Sequence, residues 1–413
     1  MPETVSTGRP ISPFASGLGG MRAGGRRLVV LFLAVLLDLV GFGIVLPLLP
    51  LYARDYGADG LLTGLLVSIY SLVQLVMAPV WGRISDRIGR RPVLLLGLLG
   101  SGAAYLVFAR ADSLFLLFLS RIVGGIGGST IPVAQAYIAD MTPPEKRAGN
   151  MGLIGAAFGL GFVIGPFLGG ILSGLSPGAP TAPGYTAATI CAANALVAIL
   201  FLPESRERGA DGPTSRFNLS ASLALAASSR QILVTLAVYL LITMAFSTLQ
   251  PTLSLLASER FSMGAREAGN LFALLGVVSA IVQGGLVRGV VPRTGERELL
   301  RASAFPFALG LALMGLSQTV PLFLAGLVLV GIGYGGAIPS ILGLLSRAVE
   351  PERQGATLGL GQSVGSLARV LGPAMAGALF DARLAFPYLA GALFIVLGTL
   401  LAGRLVQPGR ATA

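Results

Sequence analysis

The sequence predicts an all-α integral membrane protein whose twelve transmembrane helices form two six-helix repeats. Three observations carry that prediction. Of the 413 residues, 54% are hydrophobic and only 11% charged, and the mean hydropathy is strongly positive, whereas soluble domains run near a quarter charged. The apolar residues gather into runs of about 20, the length of a bilayer-spanning helix, rather than the short alternating strands of a barrel. Finally, features of the first half of the chain return in the second.

In chain order, residues 1–27 are rich in Gly, Ser, Pro and Arg and offer no core, so they are expected as a disordered cytoplasmic tail. The next run, Leu28–Ala53, is too long for a cleaved secretory signal and carries a charge in its middle. Apolar runs then start near Leu28, Leu61, Pro92, Leu114, Ala148, Tyr185, Gln231, Ala268, Ala302, Pro321, Gly355 and Ala385, twelve in all. Between the second and third lies Trp81–Pro92, WGRISDRIGRRP, with four arginines. Guanidinium groups enter hydrocarbon only at high cost, so this stretch is expected as a short basic loop in water, on the cytoplasmic side.

With both termini cytoplasmic, 22 of the 29 Lys and Arg residues fall inside. Five fall outside (Arg54, Arg110, Arg260, Arg266, Arg383), and Arg121 and Arg369 fall within helices. That asymmetry sets the expected orientation in the plasma (inner) membrane. It also accounts for the net charge of +11 without nucleic acid as a partner.

The longest polar stretch, Pro203–Arg230, divides the chain. The expected organisation is an N-terminal six-helix half at 28–203, a cytoplasmic central loop at 204–229, a C-terminal half at 230–406 and a tail at 407–413. The halves repeat: Gly152…Gly165-Pro166…Gly170 returns as Gly359…Gly372-Pro373…Gly377, and GIGGSTIP (Gly125–Pro132) returns as GIGYGGAIP (Gly331–Pro339). A doubled unit of this kind suits a transporter whose halves rock about a central site. The second copy of the basic stretch, VRGVVPRTGER (Val287–Arg297), has no acid matching Asp86.

Histidine is absent and Cys191 is the one cysteine, which excludes an intrachain disulfide and leaves no Ser/His or metal-ligand set. An enzyme is not expected, nor a cofactor or a metal. Any proton handling must rest on carboxylates or tyrosines. Asp38 stands about ten residues into the first helix, roughly 15 Å deep at the rise of an α-helix. A carboxylate at the bilayer centre costs about 2.5–3.5 kcal/mol on insertion scales, so Asp38 is a candidate for proton or cation handling, with a structural hydrogen bond to a neighbouring helix as the alternative. Arg121, in the fourth helix, is expected to face the interior and to pair or hydrogen-bond there. Arg369 either meets an anionic substrate group or bonds backbone carbonyls. Tyr70, Gln74, Gln135, Phe246, Gln250, Asn270, Gln283, Tyr334 and Gln362 are candidate linings of a central cavity suited to drug-sized ligands.

Gly82, Asp86, Arg87, Gly89, Arg90 and Arg91 spell Gly-x-x-x-Asp-Arg-x-Gly-Arg-Arg between two apolar helices. This resembles the signature of the major facilitator superfamily between helices 2 and 3. Gly152, Gly161, Gly165, Pro166, Gly169 and Gly170 match the signature of its drug/proton antiporter branch, and helices 1, 4 and 5 together resemble the tetracycline efflux proteins. The resemblance implies proton-coupled export of small amphipathic compounds by alternating access, with Asp38 and Arg121 in proton coupling. It also implies a cytoplasmic gate in which Asp86 meets the start of helix 11 near Glu352–Gln354. A metabolite carrier is the alternative. The expected partners are the small-molecule substrate, protons and the bilayer, and the chain is expected to act as a monomer. One departure is visible: tetracycline exporters carry an intramembrane acid around helix 9, and Arg301–Gln318 has none past its start.

Overall fold

The computed structural model describes residues 13–205, 229–349 and 354–403, nearly all of them helical. Among these residues, eleven helices are long and apolar enough to cross a membrane. They are α1 (Arg27–Asp55), α2 (Gly60–Ile88), α3 (Arg90–Ala109), α4 (Leu114–Met141), α5 (Asn150–Ser173), α6 (Thr181–Phe201), α7 (Arg230–Phe261), α8 (Ala265–Gly285), α9 (Glu296–Leu316), α10 (Val320–Arg347) and α11 (Thr357–Ala382). A shorter apolar helix, α12 (Phe386–Ala402), is the twelfth. Each apolar run expected from the sequence is a helix. Large apolar side chains on the outside, among them Phe115, Phe305, Leu200 and Leu400, give the surface that lipid requires. The chain is an integral membrane protein.

Helices α1–α6 and α7–α12 pack as two bundles with cores of their own, centred on Phe108, Tyr52 and Leu66 in the first and on Phe307, Phe323 and Tyr388 in the second. The backbone helix that becomes α1 begins at Pro13, inside the stretch expected as tail. The rest of that tail, most of the central loop (206–228) and the C-terminal tail lie outside the described residues.

One expectation is corrected. Trp81–Pro92 is not a loop: α2 continues through Ile88, α3 starts at Arg90, and Gly89 alone stands between them. The 29 residues of α2 would span about 44 Å, well beyond the ~30 Å hydrocarbon core, so its last turns reach water while still helical. Gly89 makes the turn at φ +105°, and a Cβ there would collide with the Glu204 carboxylate. That carboxylate accepts the Arg90 and Arg91 backbone N–H groups (2.9 and 3.2 Å), capping α3 with the negative charge that a helix N-terminus favours.

The same junction recurs between α8 and α9. Gly295 turns at φ +82° and Glu296 opens α9, paired with Arg347 at the end of α10 (2.7 Å). At the corresponding place in the first half Arg90 opens α3 and pairs with Asp140 near the end of α4 (3.2 Å). The ion pair is thus kept while its polarity is reversed. Because Glu296 is buried (6% exposed), Glu296→Arg should destabilise the second bundle by roughly 1–3 kcal/mol. Glu296→Arg combined with Arg347→Asp should recover much of that loss. Thermal stability in detergent, read by fluorescence-detected size exclusion, checks this; no recovery in the double variant would contradict the pairing.

The two bundles touch mainly along two helix pairs, α2 with α11 and α5 with α8, where small residues make the closest approaches; α1 and α7 also meet, with Ser254 donating to the Pro47 carbonyl (2.7 Å). Gly60 and Gly64 meet the backbone of Gly377 and Pro373, while Gly170 and Gly269 meet each other. Backbones approach this closely only where no Cβ intervenes. The contact does not run the length of the helices. On α5 the stripe that holds α8 at Phe162, Pro166 and Gly170 continues a turn or two earlier as Gly152, Gly155 and Gly159, where a Cβ would meet nothing within 4 Å. Gly82 on α2 and Gly284 on α8 are equally free. The bundles are therefore clamped at the end bearing the α1–α2 loop and part toward the end bearing the Gly89 turn.

Candidate functional site

Four helices of the first bundle bring its polar residues together. The glycines around the break in α4 (Gly128–Thr130) let α2 and α3 in: Gly125 lies on the Tyr70 carbonyl and Val73, Gly127 on the backbone of Gly97 and Gly100, and Gly128 against the Tyr70 hydroxyl. Gln74 donates its side-chain amide to the freed Gly128 carbonyl (2.9 Å), so this cavity candidate has a structural partner. Gly41 on α1 gives room to the Tyr105 ring, which a Cβ would meet at 3.0 Å.

The shared repeat GIGGSTIP thus positions Tyr70, and Gly41 makes room for Tyr105. Tyr70 and Tyr105 each lie within electrostatic range of both Asp38 and Arg121. Asp38 rests against Ser101 of α3, and its Oδ1 is left without a hydrogen-bond partner. Arg121 is buried (3% exposed). Its guanidinium lies 6.0 Å from the Tyr70 ring centroid and 5.7 Å from that of Phe108. Its Nε donates a long bond to Ser120 (3.4 Å), and Nη2 has no partner. Arg121 faces the interior as expected, but Asp38 and Arg121 form no ion pair among the described residues. Cation–π contact with two rings takes that place and offsets part of the desolvation of the guanidinium.

The second bundle contributes Arg369 from α11. It is half-buried, donates to Ser366 on its own helix (3.0 Å) and lies within electrostatic range of Tyr70 and Tyr334. Tyr334 stacks on Phe246 with ring centroids 3.6 Å apart. Opposite them an aromatic row, Tyr70–Phe42–Phe162–Phe158, runs from α2 through α1 to α5 with centroid spacings of 5.1, 6.0 and 6.4 Å. Sequence reading found Tyr70, Phe246 and Tyr334 but missed Ser101, Tyr105, Phe42 and Phe162. Within apolar helices these residues differ in no local way from packing residues. Gln135 and Gln250 are half-buried, and Asn270, Gln283 and Gln362 are exposed; no hydrogen bond brings these five to the cluster.

At the turn between α2 and α3, Asp86 pairs with Arg90 (2.8 Å), which also reaches Asp140 (3.2 Å) and Ser85 (2.6 Å). Arg91 reaches the Ile199 carbonyl, and Arg87 is exposed. The expected meeting of Asp86 with the start of helix 11 falls largely on residues 350–353, outside the described residues. Of the fifth-helix motif, Gly161, Gly165 and Gly169 carry α1 at Leu39, Gly43 and Ile44, and Gly170 carries α8. Pro166 meets Gly43 and Gly269, whereas Gly152 touches nothing.

The chain is similar to known proteins. The chain is 33% identical over 359 residues to the class C tetracycline resistance protein of Escherichia coli, covering 86% of this chain and 90% of that one. It is 30% identical to major facilitator superfamily domain-containing protein 10 of Mus musculus, covering 86% and 87%. The crystal structure of the human organic anion transporter MFSD10 superposes with a TM-score of 0.70 at 28% identity, over 92% of this chain and 99% of that one. The family model described as Major Facilitator Superfamily matches residues 31–373 and 290–412. With twelve helices in two bundles, glycine-mediated contact between them and a family match over nearly the whole length, the chain belongs to the Major Facilitator Superfamily and is a membrane transporter.

Proposed function

We propose that the protein exports small amphipathic compounds across the plasma membrane in exchange for protons, by alternating access. The observation that carries this reading is Asp38, a carboxylate inside the first bundle with one oxygen unbonded, which shares with Arg121 the electrostatic surroundings of Tyr70 and Tyr105. An intramembrane acid of this kind has a function as its default reading. Without an ion pair to hold it charged, it is free to take and release a proton. The tetracycline resistance proteins among its relatives and the glycine pattern of α5 support the outward direction.

In mechanism, the bundles are parted on the side of the Gly89 turn. Given the distribution of Lys and Arg, that side is the cytoplasm, and both termini lie there. A compound enters between α5 and α8 and reaches the aromatic row and the Phe246–Tyr334 pair. Binding there and protonation of Asp38 compete. Rocking of the bundles, with the Asp86 turn as cytoplasmic gate, exchanges one for the other.

The test uses inside-out vesicles with an acidified lumen, a pH-sensitive dye and a panel of tetracyclines, cationic dyes, chloramphenicol-like drugs and sugars. At least one amphipathic drug should release lumenal protons. Asp38→Asn should lower that release more than tenfold while the protein remains folded in the membrane. Release undiminished in Asp38→Asn would contradict the assignment.

A second reading, export of organic anions, is favoured by Arg369. Arg121 and Arg369 outnumber Asp38 around Tyr70, and an unpaired guanidinium in a desolvated site favours a negative group. Here Arg369→Gln should raise the KM for anionic members of a transport panel about tenfold or more and leave cationic members within a factor of two. An equal effect on both would remove this reading.

A further inference from the structure

The clamped end of the molecule holds an arrangement that packing alone does not require. The first N–H groups of a helix have no acceptor within it. At the start of α2, the Gly60 and Leu61 N–H groups donate to Oδ1 and Oδ2 of Asp381 (2.7 and 2.9 Å), a residue 320 positions away at the end of α11. The Leu62 N–H goes to Asp59 of its own turn (2.7 Å). One carboxylate of the second bundle therefore caps a helix of the first, where the helix dipole favours negative charge. Beside it Arg54, at the end of α1, pairs with Glu259 near the end of α7 (2.6 Å), again across the bundles. A polar cavity of about 260 Å³, lined by Arg54, Glu259, Asp381 and Arg383, opens onto both.

The pairing has a mirror image. The helices that contain α2 and α11 run antiparallel and are both 29 residues long, Gly60–Ile88 and Gln354–Ala382. Asp381 stands in the last turn of one and Asp86 in the last turn of the other. In the present state the Asp381 carboxylate joins the two bundles, and Asp86 pairs with Arg90.

We propose that Asp381 is the positioning residue of the transport cycle on the side of the α1–α2 loop. Its carboxylate on the α2 N-terminus stabilises the state closed there and open at the Gly89 turn, and opening that side requires its release. Once α2 and α11 part, the Gly60 and Leu61 N–H groups and the carboxylate go to water. The bond thus contributes to one state only, which is the condition for shifting a population between two. This rests on the alternating-access reading given above.

The experiment follows two distances by pulsed electron–electron resonance on the whole chain in a Cys191→Ala background. One spin-label pair, Asp112→Cys with Gln318→Cys, spans the exposed loops of the two bundles at the clamped end. The other, Arg83→Cys with Arg293→Cys, spans the parted end. Asp381→Asn should move population from the short to the long distance at the clamped end and from the long to the short at the parted end. The ratio of states should change about tenfold, the size expected for charged hydrogen bonds, and Asp381→Glu should return part of it. A merely structural defect would lengthen or broaden both distances together. That result, or no change in either distance, would overturn the proposal. If the parent protein exchanges between two distances at each end and Asp381→Asn leaves their ratio alone, the latch falls while alternating access stands. If the parent holds one fixed distance at each end even with a transported drug added, both fall.

Discussion

The contact on which the rest of the structure depends is the close approach of bare backbones between the two bundles at one end of the molecule. Lipid offers no hydrophobic drive between helices, so association rests on packing and on hydrogen bonds. Gly60 and Gly64 against Gly377 and Pro373, and Gly170 against Gly269, provide both the room and the surface for it. Each of these contacts involves a position where any side chain would strike backbone. Because the same stripe on α5 has empty space at Gly152, Gly155 and Gly159, the interface acts as a wedge with its apex at the clamped end. Glycine spacing therefore sets the angle between the bundles as well as their affinity.

The second constraint is charge in a medium that does not solvate it. Asp38, Arg121 and Arg369 lie within electrostatic range of Tyr70, as does the Cys191 thiol, and among the described residues the three charged groups form no ion pair with one another. The Tyr70 and Phe108 rings lie against Arg121, and Ser101 lies against Asp38. Such a cluster has spare hydrogen-bonding capacity inside the protein, on Asp38 Oδ1 and Arg121 Nη2. Buried polar groups normally find partners, and groups left without them are where a proton or a ligand gains most by arriving.

Much of this was legible in the chain itself. Helix count follows from the apolar runs and from the length a bilayer demands, and the duplicated glycine–proline patterns of α5 and α11 announced the two bundles. The depth of Asp38 and Arg121 could be counted off from the helix ends. What the sequence did not carry were relations between helices. That Tyr105 comes within electrostatic range of both Asp38 and Arg121 depends on the close approach of α3 to α1 at Gly41. That Asp381 caps α2 depends on the rotation of one bundle on the other. The Trp81–Pro92 segment was misread as a loop because its arginines signal water. A helix that outruns the bilayer meets the same demand, and its single break at Gly89 became visible only with the positive φ and the Glu204 cap.

In the proposed cycle the Asp38 carboxylate exchanges a proton for the transported compound. The most direct measurement is made on purified protein in weakly buffered detergent solution, recording pH as a drug active in vesicles is added. Binding should release protons in proportion to protein, the release should saturate with binding, and the Asp38→Asn protein should bind the drug and release none. Equal proton release by the two proteins, or binding by the parent protein with no release at any pH near neutrality, would contradict it.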